Sequence, residues 1–219
     1  MTQQARPQLV LVAHGSRDPS ADDTIERIAA RVRTLLPDVP VLTAYLDHQE
    51  PSVADVVDEP TVLVPLLLAS GWHVEADVPA YASRDVHVTA ALGPDDMLVT
   101  ALRDRLSGVG HDGSAPVVLG AAGSRAPDAG RDVAAMADAL RGHEFSVVEP
   151  AFVTTEPKVS DVVARFDRCT VASYFLAPGS LYARLVEQAG TQPVTSVIGD
   201  HPVVAEIVVR RYADVLPSV

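Results

Sequence analysis

The constraint that outweighs all others in this sequence is that its second half repeats its first. Val12-Ala13-His14-Gly15-Ser16-Arg17-Asp18-Pro19 runs alongside Gly120-Ala121-Ala122-Gly123-Ser124-Arg125-Ala126-Pro127, an offset of 122 − 14 = 108 residues. The pattern behind each block keeps its phase. Ile25, Ile28, Ala29 and Val32 match Val133, Met136, Ala137 and Leu140, and each set traces one face of a helix. Glu50-Pro51-Ser52-Val53-Ala54-Asp55-Val56-Val57 matches Glu156-Pro157-Lys158-Val159-Ser160-Asp161-Val162-Val163 at an offset of 156 − 50 = 106. Leu68-Ala69-Ser70-Gly71 then matches Leu176-Ala177-Pro178-Gly179, and Gly93 matches Gly199. Matches that keep their order at a nearly constant offset point to duplication of one folding unit.

Each unit alternates short apolar strands with helical patterns. In the first, strands are predicted at Leu9–Ala13, Val41–Leu46, Thr61–Leu68 and Val86–Ala91, and helices at Asp22–Leu36, Val53–Asp58, Val74–Ala82 and Asp95–Leu106. The strands lack polar alternation, as parallel strands covered on both faces do. The expected fold is therefore α/β: two tandem doubly wound domains with four-stranded parallel sheets and right-handed crossovers. Ser107-Gly108-Val109-Gly110-His111-Asp112-Gly113-Ser114 is the best linker in the chain. It divides a domain over 1–108 from a domain over 115–219.

Composition removes whole classes of function. The formal charge is −12, with 17 basic and 29 acidic residues, so nucleic acid and anionic membrane surfaces are not expected partners. Cys169 is the only cysteine, too few for an intramolecular disulfide, an iron–sulfur cluster or a thiolate zinc site; it reads as a small buried residue. The longest apolar run, Val62 to Ala69, is far short of a membrane span. The first twelve residues lack the layout of a signal peptide, and the expected location is the cytoplasm.

In open α/β sheets ligands bind beyond the carboxyl ends of the strands. That rim carries His14-Gly15-Ser16-Arg17 after the first strand, Asp47-His48 after the second and Ser70-Gly71-Trp72-His73 after the third. His14, Asp47 and His73 thus share one edge. Two imidazoles and a carboxylate suit Fe²⁺, Co²⁺, Ni²⁺ or Zn²⁺, and equally suit proton transfer near neutral pH. Their counterparts in the second half are Ala122, Val153 and Leu181, so only the first half carries the chemistry. The phosphate-loop and dinucleotide signatures are absent, as is the serine-hydrolase elbow; no nucleotide is expected. His14-Gly15 lacks the arginines of a histidine phosphatase. A zinc hydrolase built on His14, Asp47 and His73 would want a fourth group that the sequence does not identify. His48, His87, His111, His143 and His201 have no partner pattern and read as surface residues.

Taken together, Ala13-His14-Gly15-Ser16-Arg17-Asp18-Pro19, Leu46-Asp47, Glu50-Pro51-Ser52, Val64-Pro65-Leu66-Leu67-Leu68, Gly71-Trp72-His73-Val74 and Asp77-Val78-Pro79 resemble the sirohydrochlorin chelatases. These are ATP-independent lyases of class II. The resemblance is dense from Leu9 to Leu106 and fainter from Val117 to Leu216, as in a two-domain long form with a degenerate second half. It implies insertion of a divalent metal, Fe²⁺ for sirohaem or alternatively Co²⁺ for cobalamin, into a metal-free modified tetrapyrrole. The family's two metal-handling histidines fall on His14 and His73. Its assisting glutamate falls on Asp47, one methylene shorter. The segment between Pro51 and Thr61 is shorter than usual, and Gly93-Pro94-Asp95-Asp96 stands where many members have Gly-Pro-His-Pro. The implied substrate is a polycarboxylate, for which the amides of Gly15 and Ser16, the Ser16 hydroxyl and Arg17 are candidate donors, with Arg84 or Arg125 as further cations. Trp72 is a candidate to pack on the macrocycle, while Asp77 and Pro79 shape the helix after the third strand. Because one chain supplies both halves, a monomer is expected. The alternative from another class is a non-catalytic, bilobed tetrapyrrole- or metal-binding protein.

Overall fold

The computed structural model describes residues 6–57, 60–69, 77–124, 126–143 and 145–216. The first half forms a parallel sheet from β1 (Gln8–Ala13), β2 (Val41–Tyr45), β3 (Thr61–Pro65) and β4 (Val86–Val88), in the order β2-β1-β3-β4. The register places Leu9 beside Val41 on one side and Val62 on the other. The second half repeats the arrangement with β5 (Val117–Ala121), β6 (Val148–Phe152) and β7 (Thr170–Ser173), ordered β6-β5-β7. Here expectation and structure differ: the second sheet has three strands, not four. Where the fourth would run, only a single bridge joins Val171 to Val194. Pro193 immediately precedes that bridge and has no N–H to extend a ladder.

The helices are α1 (Pro19–Leu35), α2 (Val53–Val56), α3 (Met97–Gly108), α4 (Pro127–His143), α5 (Val159–Val163), α6 (Ser180–Ala189) and α7 (Pro202–Asp214). Helix α1 starts three residues before Asp22, where the sequence placed its first residue. Asp18 caps it by accepting from the Ser20 N–H at 3.0 Å, and Pro19 occupies the first turn, where its missing N–H costs nothing. The helix expected over Val74–Ala82 is present among the described residues only as a 3₁₀ turn at Pro79–Tyr81; Val74, Glu75 and Ala76 lie outside them. Its counterpart α6 is a full ten-residue helix.

The pleat divides the core. Leu9, Leu11 and Ala13 point to one face of the first sheet, and Val10 and Val12 to the other. In the second sheet Val117, Leu119 and Ala121 share one face and Val118 points to the opposite one. The outer faces are covered locally, by α2 in the first half and by α5 and α6 in the second. The inner faces of both sheets meet in one continuous core with α1, α3, α4 and α7.

Within that shared core the halves trade their final helices. Helix α3, from the first half, packs against β7 and α4; α7, from the second, packs against α1 and β3. Matched polar contacts secure the exchange. Arg105 of α3 donates to the Ile198 carbonyl at 2.7 Å, and its counterpart Arg211 of α7 donates to the Ala91 carbonyl at 3.1 Å. Asp95, its side chain only 8% exposed, pairs with Arg210 and Arg211. Asp200 pairs with Arg27 at 3.6 Å and Arg31 at 3.5 Å. Asp95 lies in the stretch where the resemblance led one to look for histidine and instead fastens α7 to the first half.

Tyr174 adds a buried bond across the halves: its hydroxyl donates to the Leu68 carbonyl at 2.7 Å. Burial pushes its pKa far above the usual phenol range, so it remains a donor. Gly93 lets the two segments meet, since a Cβ there would lie 2.2 Å from the same carbonyl and 2.4 Å from the hydroxyl. Tyr174→Phe leaves that carbonyl buried and unpaired. We expect a loss of about 1–2 kcal/mol in urea unfolding; an unchanged midpoint would mean the bond contributes nothing net.

Candidate active site

The cleft between the halves has a volume of about 900 Å³, within the range of small-molecule sites. One wall carries the β1–α1 turn, from His14 to Arg17, with Tyr45, His48 and Gln49 beyond β2. The other carries the β5–α4 turn and the segment from Tyr174 to Tyr182. Between them Leu66, Leu67, Leu68, Phe152 and Phe175 make the lining mostly apolar.

The polar wall is built around Gly15. Its φ of +93° and its position against the next loop, where a Cβ would lie 1.8 Å from the Asp47 carbonyl oxygen, leave room for glycine alone. The turn and the loop are laced together. The Asp47 N–H donates to the His14 carbonyl at 3.0 Å. The Ser16 N–H donates to Gln49 Oε1 at 2.7 Å, and Gln49 Nε2 donates to Asp22. The Ser16 amide is therefore not available to an anion, contrary to the sequence expectation, because the Gln49 carboxamide already occupies it. Ser16 Oγ accepts from the Asp18 N–H at 3.0 Å, which still leaves the hydroxyl proton to donate. Across the cleft, a Cβ on Gly179 would come 3.5 Å from Ser16 Oγ, so the walls approach closely there.

Arg17 is exposed on the cleft and makes no ion pair or hydrogen bond with the described residues; it is the only Arg or Lys among those lining the cleft. Arg84 is exposed and does not line it. Trp72, His73 and Arg125 lie outside the described residues. Burial raises the pKa of Tyr45, and the negative charges of Asp22 and Glu26 add to the shift, keeping that cleft-lining hydroxyl protonated.

His14 stands exposed at the end of β1, its ring centroid 6.2 Å from that of His48 and the ring planes 66° apart. Asp47 does not line the cleft. It lines a smaller hollow behind His48, with its Oδ1 2.9 Å from the His48 N–H and 3.3 Å from His48 Nδ1. The structure thus brings His14 and His48 together and places Asp47 behind them. Among the described residues no group of three or more His, Cys, Asp and Glu side chains is arranged to hold a metal ion.

Other histidine readings also change. His48 is part of this wall. His111 sits against Phe145, with its Nδ1 2.9 Å from Thr170 Oγ1. His201 caps α7 and reaches Asp104 at 3.0 Å. His87 and His143 are exposed. The counterpart of Asp47 changes as well. Because the Thr154 N–H donates to the Ala122 carbonyl, as Asp47 does to His14, the hydrogen-bonding match is Thr154; Val153 instead matches Leu46. The loop from Tyr45 to Pro51 holds one residue more than its repeat from Phe152 to Pro157, and His48 in that loop has φ +65°. The sequence carried the signal for this in the repeat offset, which slips from 152 − 45 = 107 to 157 − 51 = 106 across the loop.

The CbiX family model matches this chain twice, over residues 8–109 and 116–215. The chain is 26% identical to the sirohydrochlorin ferrochelatase of Bacillus subtilis, over 93% of its own length and 89% of that protein. It is also 26% identical to the sirohydrochlorin cobaltochelatase of Priestia megaterium, over 82% of its length and 67% of that protein. Among solved structures, SirB from Bacillus subtilis with Fe³⁺ superposes with a TM-score of 0.80 at 25% identity, covering 95% of each chain. With two copies of the family pattern on two matching α/β halves, the chain belongs to the CbiX family, that of the sirohydrochlorin chelatases.

Proposed function

We propose that this chain is a sirohydrochlorin chelatase that inserts Fe²⁺, or as a second reading Co²⁺, into the metal-free macrocycle without ATP. The observation that carries this is the asymmetric cleft, with imidazoles on the wall of one half and aliphatic and aromatic side chains around them. A flat macrocycle seated there meets apolar surface over its faces and nitrogen donors at its centre. The second reading has a specific support, since curated relatives at equal identity carry either metal in their names.

The reaction exchanges one M²⁺ for two pyrrole protons. The ion sheds water, is held briefly on one face of the ring and passes to the ring nitrogens. In this proposal His14 and His73 hold the ion and accept the protons, because neutral imidazole does both near pH 7. Asp47 supplies negative charge at the same rim, reaching the site through the His48 ring. Few and open ligands suit an ion that must leave; a closed four-ligand cage would retain it. One chain furnishes both walls, so the working unit in this reading is a monomer.

The test mixes protein, metal-free sirohydrochlorin and Fe²⁺ or Co²⁺ anaerobically without ATP, and follows the visible spectrum. Metallation above the spontaneous rate over many turnovers is expected. A shift that stops at one equivalent would instead identify the non-catalytic binding protein. The ratio of kcat/KM for the two metals decides between them. Arg17, a cleft-lining cation that pairs with none of the described residues, is the donor we assign to a substrate carboxylate. Arg17→Gln should raise KM for the tetrapyrrole about tenfold, consistent with about 1.5 kcal/mol for a charge-assisted bond, and leave kcat nearly unchanged. An unaltered KM would return Arg17 to the solvent.

A further inference from the structure

We propose that His48 is a catalytic residue of this site, an imidazole beyond His14 and His73 that shares the incoming metal ion with His14, and that Asp47 is the residue that positions it. The inference rests on the chelatase reading above and goes beyond it in the residue it names. Four observations carry it.

The first is distance. Two imidazoles that bind one ion at metal–nitrogen separations of about 2.1 Å have ring centroids about 5 to 6.5 Å apart, depending on the angle at the metal. His14 and His48 stand at 6.2 Å, inside that range at its wide-angle end, so rotation of the side chains rather than movement of the backbone would bring both onto one ion. The second is placement: both rings line the cleft. The third is orientation. Asp47 Oδ1 lies 3.3 Å from His48 Nδ1. With the proton on Nδ1 donated to that carboxylate, Nε2 keeps its lone pair for a ligand, the arrangement by which metal-binding histidines are held in one tautomer and one ring orientation.

The fourth is the backbone. His48 adopts φ +65° in a loop one residue longer than its repeat, a conformation unfavourable for any residue with a Cβ. In the second half the corresponding loop carries Thr154, whose hydroxyl is turned onto the carbonyls of Ala122 and Gly123. The extra residue and the unfavourable torsion thus occur only in the half that holds His14. A few imidazoles leave the remaining coordination positions of the ion to water or to ring nitrogens, as a hand-over requires.

The experiment uses the full chain and Co²⁺ as probe, with binding followed by calorimetry and by the visible d–d bands. His48→Leu is expected to weaken Co²⁺ binding at least tenfold and to lower kcat/KM for the metal by a similar factor, leaving KM for the tetrapyrrole unchanged. His48→Gly removes the imidazole at a torsion that glycine tolerates, so it should weaken Co²⁺ binding equally while the thermal midpoint stays level or rises. That separates ligand loss from misfolding. Asp47→Asn, which keeps an acceptor beside Nδ1 and for the His48 N–H, should retain more Co²⁺ affinity than Asp47→Ala, and the difference should exceed what any change in thermal midpoint accounts for, which a merely structural role would not produce. His87→Ala, at the exposed position of β4, is the control.

Wild-type Co²⁺ affinity and wild-type metallation in His48→Leu would overturn the inference and leave the chelatase reading intact. Conversely, Co²⁺ binding that depends on His48 in a protein unable to metallate sirohydrochlorin would sink that reading and keep the metal site.

Discussion

His14→Ala should lower the turnover of tetrapyrrole metallation by a factor on the order of 100 or more, the scale on which a positioned proton acceptor acts, while leaving the fold in place. The side chain is exposed at the end of β1 and contributes nothing to the shared core, so truncating it should shift stability by no more than about 0.5 kcal/mol. What it loses is position: the strand end holds the imidazole at the cleft beside His48, and the matching residue of the opposite wall, Ala122, cannot take its place. Stopped-flow spectroscopy with metal in excess separates the chemical step from product release. Turnover equal to wild type would remove His14 from the reaction.

The second large effect is on stability. In Gly15→Ala the new methyl group meets two penalties together: a φ of +93° and a backbone carbonyl 1.8 Å away. A flexible side chain could rotate aside, but the Asp47 carbonyl cannot move without dragging the loop that holds His48. We expect a loss of about 2–4 kcal/mol in urea unfolding, together with loss of metallation, because the displaced loop carries part of the site. Gly130→Ala is the internal comparison. It lies within α4, where an added Cβ meets nothing within 4 Å, and the higher helix propensity of alanine should add about 0.5–1 kcal/mol. Equal midpoints for Gly15→Ala and wild type would contradict the described turn.

Much of this architecture was legible because duplication places the same grammar on the page twice. The apolar phase of Ile25, Ile28, Ala29 and Val32 against Val133, Met136, Ala137 and Leu140 located α1 and α4, and all eight side chains are buried. Cys169 is buried before β7 as expected, and burial raises its pKa. What the residues did not reveal lies in relations between segments. An apolar stripe on α3 or α7 states that a sheet will be covered without stating which one, so the exchange of helices is invisible to periodicity. Pairing Asp47 with Val153 aligned letters, whereas the hydrogen bonds pair it with Thr154. His48 looked like a solvated residue because its meaning depends on a torsion and on a neighbour 34 positions earlier in the chain. Asp95 departs from the familiar histidine, and its purpose is set by two arginines more than a hundred residues away.

The traded helices have a consequence for how such a molecule can be taken apart. A break anywhere in 109–116 yields two pieces, each keeping the helix that packs on part of the other's sheet and missing the one that packs on part of its own. Each piece alone would present a partly uncovered apolar sheet face to water, and the pair would regain full cover only by clasping. Inheritance by doubling has thus become mutual dependence: the half that carries His14 and His48 keeps its shape only in the company of a half whose described residues bring no imidazole to the cleft.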